Sequence, residues 1–317
     1  MDASDIETRV GAMGADGRVS AADVLALRRE IYPDGAVARE ELAAVFSLAE
    51  RAPDGDAEWS AFFAELCADY FLNEETPRGY LTEEEFEFLR RAIVRDGGRV
   101  TDLELETLVA LAERARSTPD AMTVFTADEF RRRFNEMEAP SVSAADASLL
   151  KRFVYAAGGE GVVAVGRGEA ELLLDIENLC RAGPNAPEWG ALFATALSAH
   201  LMQHVDAEPV SRDEAKRLQK FVEDRASNPV GFFQRMLKGG LKGFGRDPAA
   251  AEAEATAVRR AAAIAEAEEV TAAEANWVAA RIGRDGALSA PEIALIERLK
   301  DLGAELPEPL ARLAKAS

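Results

Sequence analysis

Residues 19–51 read VSAADVLALRREIYPDGAVAREELAAVFSLAER, and this stretch decides the fold. Ser20 followed three residues later by Asp23 is a capping box. The hydroxyl accepts a bond from a first-turn N–H, and the acid reaches back to the cap's own N–H. Val24, Leu27 and Ile31 then fall at spacings of three and four, which place them on one stripe of a helix. Asp34-Gly35 ends that helix, because glycine takes the left-handed conformation of a helix terminus. REELAAVFSLAER begins the next helix at once, so the segment is a helical hairpin.

The same punctuation returns along the chain: LTEEE from Leu81, VTDLE from Val100, VSAAD from Val142, VSRDE from Val210, VTAAE from Val270 and LSAPE from Leu288. The apolar ladder returns with it. Leu27 is matched by Leu89, Leu150, Leu218 and Val278, and Ile31 by Ile93, Val154, Val222 and Ile282. Repetition of this kind predicts an all-α fold of tandem helical hairpins, with strands at most as two-residue bridges at the aliphatic turn positions. A second shared segment, AEWSAFFAELCADYFL from Ala57 and PEWGALFATALSAHLM from Pro187, aligns Trp59 with Trp189 and Tyr70 with His200. Both tryptophans read as core plugs. The chain thus reads as two related lobes, each ordered as hairpin, Trp helix, hairpin. The expected organisation is a first lobe over 1–137, a second over 138–225, an insertion over 226–262 and a C-terminal hairpin over 263–317.

Composition bounds the function. The 317 residues are 48% hydrophobic and carry a formal net charge of -20. Such a chain repels nucleic acid and anionic lipid wherever no basic patch overrides the field. Cys67 and Cys180 sit in apolar helical stretches and read as small buried side chains. MDASDIETRV is no signal peptide, and no apolar run is long enough to span a bilayer, so a cytoplasmic setting is expected.

The turns Asp-Gly-x-Val-x-x-x-Glu have the form of the rear half of a calcium-binding EF-hand loop. The front half lacks the oxygens. At the first, third and fifth loop positions stand Ala12, Gly14 and Asp16 before Gly17; Glu30, Tyr32 and Asp34 before Gly35; Ile93, Arg95 and Gly97 before Gly98; Arg281, Gly283 and Asp285 before Gly286. Two or three oxygens do not replace the six to eight that Ca²⁺ takes. The expected turn keeps the EF-like shape without the ion.

Helices joined in this manner resemble the TerB-type helical domains of tellurite-resistance and stress-response proteins. The likeness covers Val19 to Glu50, Leu81 to Glu113 and Val270 to Arg298, and leaves out the Trp helices and 226–262. It implies an all-helical, non-catalytic domain, sometimes metal-associated, acting in membrane-linked complexes. Carried onto this chain, the acids implied are Asp34 with Glu41, Asp96 with Glu104, and Asp285 with Glu292.

His200 and His204, one helical turn apart, are the spacing of a zinc clamp, but His200 stands where the first half has Tyr70, and a packing role accounts for it. The run NPVGFFQRMLKGGLKGFGRD places Phe232, Phe233, Arg235, Lys238, Lys242 and Phe244 in one basic, aromatic and glycine-rich segment. It reads as a linker or a docking element, and residues 231–246 are the part suited to a membrane surface or an acidic partner. The glycines from Gly158 to Gly168 follow a helix, not a strand, and make no nucleotide loop. The expected function is therefore a non-enzymatic cytoplasmic binding or scaffold protein with a protein partner and no nucleic acid. A metal-responsive sensor is the alternative, with Ca²⁺ or Zn²⁺ as its ion; no other cofactor is expected.

Overall fold

The computed structural model describes residues 10, 13–14, 16–33, 35–74, 78–94, 99–156, 165–202, 272–283, 287–304 and 306–316. They are all-α apart from minimal bridges. The helices are α1 (Ala21–Ile31), α2 (Arg39–Arg51), α3 (Ala57–Ala68, continued by a π-helical turn Asp69–Glu74), α4 (Glu83–Ile93), α5 (Asp102–Arg114) and α6 (Asp120–Asn135). They continue as α7 (Ala144–Ala156), α8 (Arg167–Cys180), α9 (Pro187–Met202), α10 (Ala272–Ala279), α11 (Ala290–Asp301) and α12 (Glu308–Ala316).

The caps form as the sequence dictates. Reciprocal boxes open α1 at Ser20, α4 at Thr82, α5 at Thr101 and α11 at Ser289. Ser143 and Asp146 exchange the same pair of bonds, both at 3.1 Å, ahead of α7. The caps expected at Ser211 and Thr271 lie outside the described residues. The ladder is inward: Leu27, Leu89, Leu150 and Val278 have no exposed surface, nor do Trp59 and Trp189.

One element exceeds the sequence reading. The repeating unit has three helices, not two. Trp59, Met122, Trp189 and Leu310 are each the third residue of a helix that follows a hairpin, and all four are buried to 1% exposure or less. The bonds that start the first three of these helices are copies of one another. Trp59 N–H donates to the Asp56 carbonyl at 2.9 Å, Met122 N–H to Pro119 at 2.9 Å and Trp189 N–H to Ala186 at 3.0 Å. In these three modules the turn ahead of the first helix is tied to the same loop: Asp56 N–H to the Val19 carbonyl at 3.2 Å, Leu81 N–H to Ser117 at 3.1 Å, Ala186 N–H to Val142 at 2.8 Å. Among the described residues the modules are α1–α3, α4–α6, α7–α9 and α10–α12.

Strands occur where the aliphatic turns predict them. β1 (Arg18–Val19) pairs in parallel with β2 (Asp54–Gly55), and an isolated bridge joins Tyr80 to Ser117 in the equivalent place. The partner is the loop before the third helix, not a sister hairpin turn as in an EF-hand pair. Gly55 makes this closure feasible, since an added Cβ would lie 2.5 Å from Trp59 Cδ1 and 2.8 Å from the Val19 carbonyl oxygen. Gly55→Ala is expected to cost about 1–3 kcal/mol in a denaturant titration, because neither contact is the free end of a flexible side chain.

By contacts the chain divides into Met1–Leu192 and Phe193–Ser317, the division falling inside α9. The boundary that the sequence repeat marks at 137/138 is of another kind: across it α5 packs on α7 and α6 on α8. Within the first unit the modules join by one rule. The second helix of a module meets the first of the next (α2 with α4, α5 with α7), and the third meets the next second (α3 with α5, α6 with α8). No described helix is long and apolar enough to cross a membrane.

Cys67 and Cys180 are both buried and form no disulfide. Burial pushes the Cys180 thiol up to about 12, with Glu177 and Asp146 adding to the rise, and burial drives Cys67 up as well. Both thiols are expected to resist alkylation at about pH 8 until the chain unfolds, because the thiolate is the reacting form.

Candidate interaction site

The residues singled out for metal divide into three groups. Asp34, Asp96, Asp285 and His204 lie outside the described residues, as does the whole basic segment with Phe232, Phe233, Arg235, Lys238, Lys242 and Phe244. Glu41, Glu104 and Glu292 are buried, and each carboxylate accepts the N–H of its helix cap: Ala38 at 2.7 Å, Thr101 at 2.8 Å and Ser289 at 2.8 Å. Glu169 is the fourth of this set, buried at the same position of α8, with Oε2 2.5 Å from where a Cβ on Gly166 would stand. The sequence reading missed the caps at Ala38 and Gly166 because neither residue has a hydroxyl. His200 stands edge-on to Trp277 at 5.7 Å.

Among the described residues no group of three or more His, Cys, Asp or Glu side chains is placed to hold a metal. With the loop's last acid engaged by cap N–H groups, excess Ca²⁺ is expected to leave the melting temperature unchanged in a thermal shift assay. An ion bound only by the folded state would raise it.

What the helices do build is a trough. It encloses about 660 Å³ and lies in the first compact unit, where α3, α5 and α7 from three successive modules meet. The α3 wall is Ala57, Ser60, Ala61 and Ala64, a run at helical spacing that faces away from Trp59, Phe62, Phe63 and Leu66 in the core. Pro53, Leu103, Ala110, Ala145 and Leu149 add to its apolar lining. A second hollow of about 560 Å³ shares Arg114 and Arg152 with the first and adds Glu113, Lys151 and Tyr155.

Arginines tie the modules together along this trough. Arg152 on α7 grips Glu113 on α5 through Nε and Nη2, at 3.0 and 2.7 Å to Oε2, and bonds Glu106 as well. Its guanidinium is held above the ordinary arginine value, first by the bond to Glu113 and against the effect of burial. Arg133 on α6 joins Asp102 on α5 to Asp146 on α7, the latter at 3.2 Å. Arg114 and Lys151 form no ion pair among the described residues; Arg114 bonds the Ala64 carbonyl at 3.4 Å and helps from a distance to hold the Glu65 carboxyl down.

A recurring position marks the joints. Nine residues beyond the anchors Trp59, Met122 and Trp189 stand Ala68, Arg131 and Ser198; six beyond Glu104, Glu169 and Glu292 stand Ala110, Asp175 and Arg298. Arg131 Nε donates to Asp175 at 2.8 Å, and Arg298 Nε to Ser198 Oγ at 3.0 Å. Ala68 and Ala110 are both buried.

Elsewhere on the first module, Arg28 pairs with Glu65 and lies over the Phe62 ring at 5.1 Å. The bond from Arg28 holds the Glu65 carboxyl below its ordinary value, against burial. That contribution is present above the unfolded carboxyl pKa and is lost as pH falls through the folded one.

No family model, no curated protein and no solved structure matches this chain.

Proposed function

We propose that this chain is a non-enzymatic binding scaffold of the TerB-like helical kind, cytoplasmic, with a protein partner and without nucleic acid. The observation that carries the reading is the trough, a solvent-open surface that needs three modules to exist. Arrays of stacked helical modules commonly serve as extended binding surfaces. The acidity of the chain disfavours nucleic acid and confines any membrane contact to residues 231–246.

Affinity capture from lysate of the source cell tests this, with the native chain and an Ala61→Trp variant in parallel. Ala61 is exposed in the trough, so tryptophan there fills the space without entering the core. A partner retained by the native chain and lost with Ala61→Trp supports the reading. Recovery of no stable partner counts against it.

A further inference from the structure

We infer that the trough takes an amphipathic protein segment which lays a small-residue or apolar face on α3 and α7 and carries acidic side chains at one end. This rests on the binding-scaffold reading and names the chemistry of the partner. The shape argument comes from α3. Its open wall has no side chain larger than serine, so the backbone of an incoming helix or extended strand approaches closely, and Leu149 offers apolar surface opposite.

The charge argument fixes which segment. The chain carries -20 overall, so an acidic partner is repelled by most of its surface. The hollow that continues the trough departs from that sign. It presents Arg114, Lys151 and Arg152 against a single acid, Glu113, and Arg152 already engages Glu113. Arg114 and Lys151 are both exposed and form no ion pair among the described residues, Arg114 acting on Glu65 only through space. A carboxylate entering there meets two cations without displacing an internal ion pair. A basic segment would meet them as like charges. Contacts of this type set partner choice and encounter rate more than affinity.

The probe is a fluorescein-labelled amphipathic peptide with alanine and leucine on one face and three glutamates at one end, compared with the same peptide ending in three lysines. Fluorescence anisotropy on the full chain is expected to show saturable binding of the glutamate peptide and roughly tenfold weaker binding of the lysine peptide. Added salt narrows that gap. Arg114→Glu with Lys151→Glu reverses the preference, and Ala61→Trp abolishes binding of both. Because both cations are exposed, unchanged melting of the double variant by circular dichroism separates loss of binding from loss of fold. Equal binding of the two peptides, binding of neither, or an unaltered preference in the double variant overturns the inference. Affinity capture with the same double variant separates the two readings. A partner held equally by native and variant chains leaves the scaffold standing and removes the trough's charge assignment, whereas no partner on either removes the scaffold.

Discussion

Trp189→Phe is expected to destabilise the first compact unit by about 1–3 kcal/mol more than Trp59→Phe. The two rings fill equivalent sites and are both fully buried. Trp59 packs against Phe63 at 5.5 Å and stacks on Phe62 at 6.3 Å, but its Nε1 is buried with no hydrogen-bond partner. Trp189 Nε1 donates to Glu177 Oε2 at 2.6 Å, and Glu177 is only 1% exposed. The position of Glu177 on α8 is that of Ala49 on α2, eight residues beyond the buried cap glutamate in each. Phenylalanine at 59 therefore removes volume together with an orphaned donor. Phenylalanine at 189 removes volume and takes away a donor that a buried carboxylate uses. Truncation to alanine makes both sites costly, about 3–5 kcal/mol each, through the cavity left behind. Denaturant titration followed by circular dichroism measures all four variants. Equal losses for the two phenylalanine variants would show that the Glu177 bond contributes nothing net.

The second large effect concerns the cap acids, and burial decides its size. Glu85 closes the box of α4 in a half-buried position, accepting from Thr82 N–H at 2.6 Å. Glu104 closes that of α5 almost wholly buried, accepting from Thr101 N–H at 2.8 Å and from its hydroxyl at 2.9 Å. Glu85→Ala removes a half-buried side chain and leaves little cavity, so the cost is about 1 kcal/mol, as for an ordinary cap. Glu104→Ala also empties the buried space that its side chain fills, and the expected cost is about 2–4 kcal/mol. Glu104→Gln, which keeps an acceptor oxygen at the cap, recovers part of it. If alanine costs the same at both sites, the burial of the second-helix glutamates has no energetic meaning.

The fold was largely written in local signals. Hydroxyl-to-acid spacing announced the helix starts at Ser20, Thr82, Thr101, Ser143 and Ser289, and the ladder through Leu27, Leu89, Leu150 and Val278 announced which face turns inward. The third helix of the second and fourth modules was not legible, because its anchor there is Met122 or Leu310 and only the tryptophans stand out in text. A buried site of fixed size accepts any large apolar side chain, so geometry repeats where identity does not. The trough was less legible still. Its α3 wall reads as alanine in an alanine-rich chain, and Arg114, Arg133 and Arg152 read as ordinary surface charges. Their convergence depends on the way three modules lie side by side, which no short window of sequence contains.

The joint position has a consequence for how such a chain is built. Tandem copies with uniform edges have no means of telling their neighbours apart, and a chain of them is prone to pair out of turn during folding. Here the first seam has a buried alanine at each of the two positions, the second a charged couple through Arg131 and Asp175, and the third a hydroxyl under a guanidinium through Ser198 and Arg298. Mispairing the first edge with the second would set Asp175 against Ala68, without the guanidinium that it pairs with here. Each seam thereby carries its own lock, and the modules are not interchangeable.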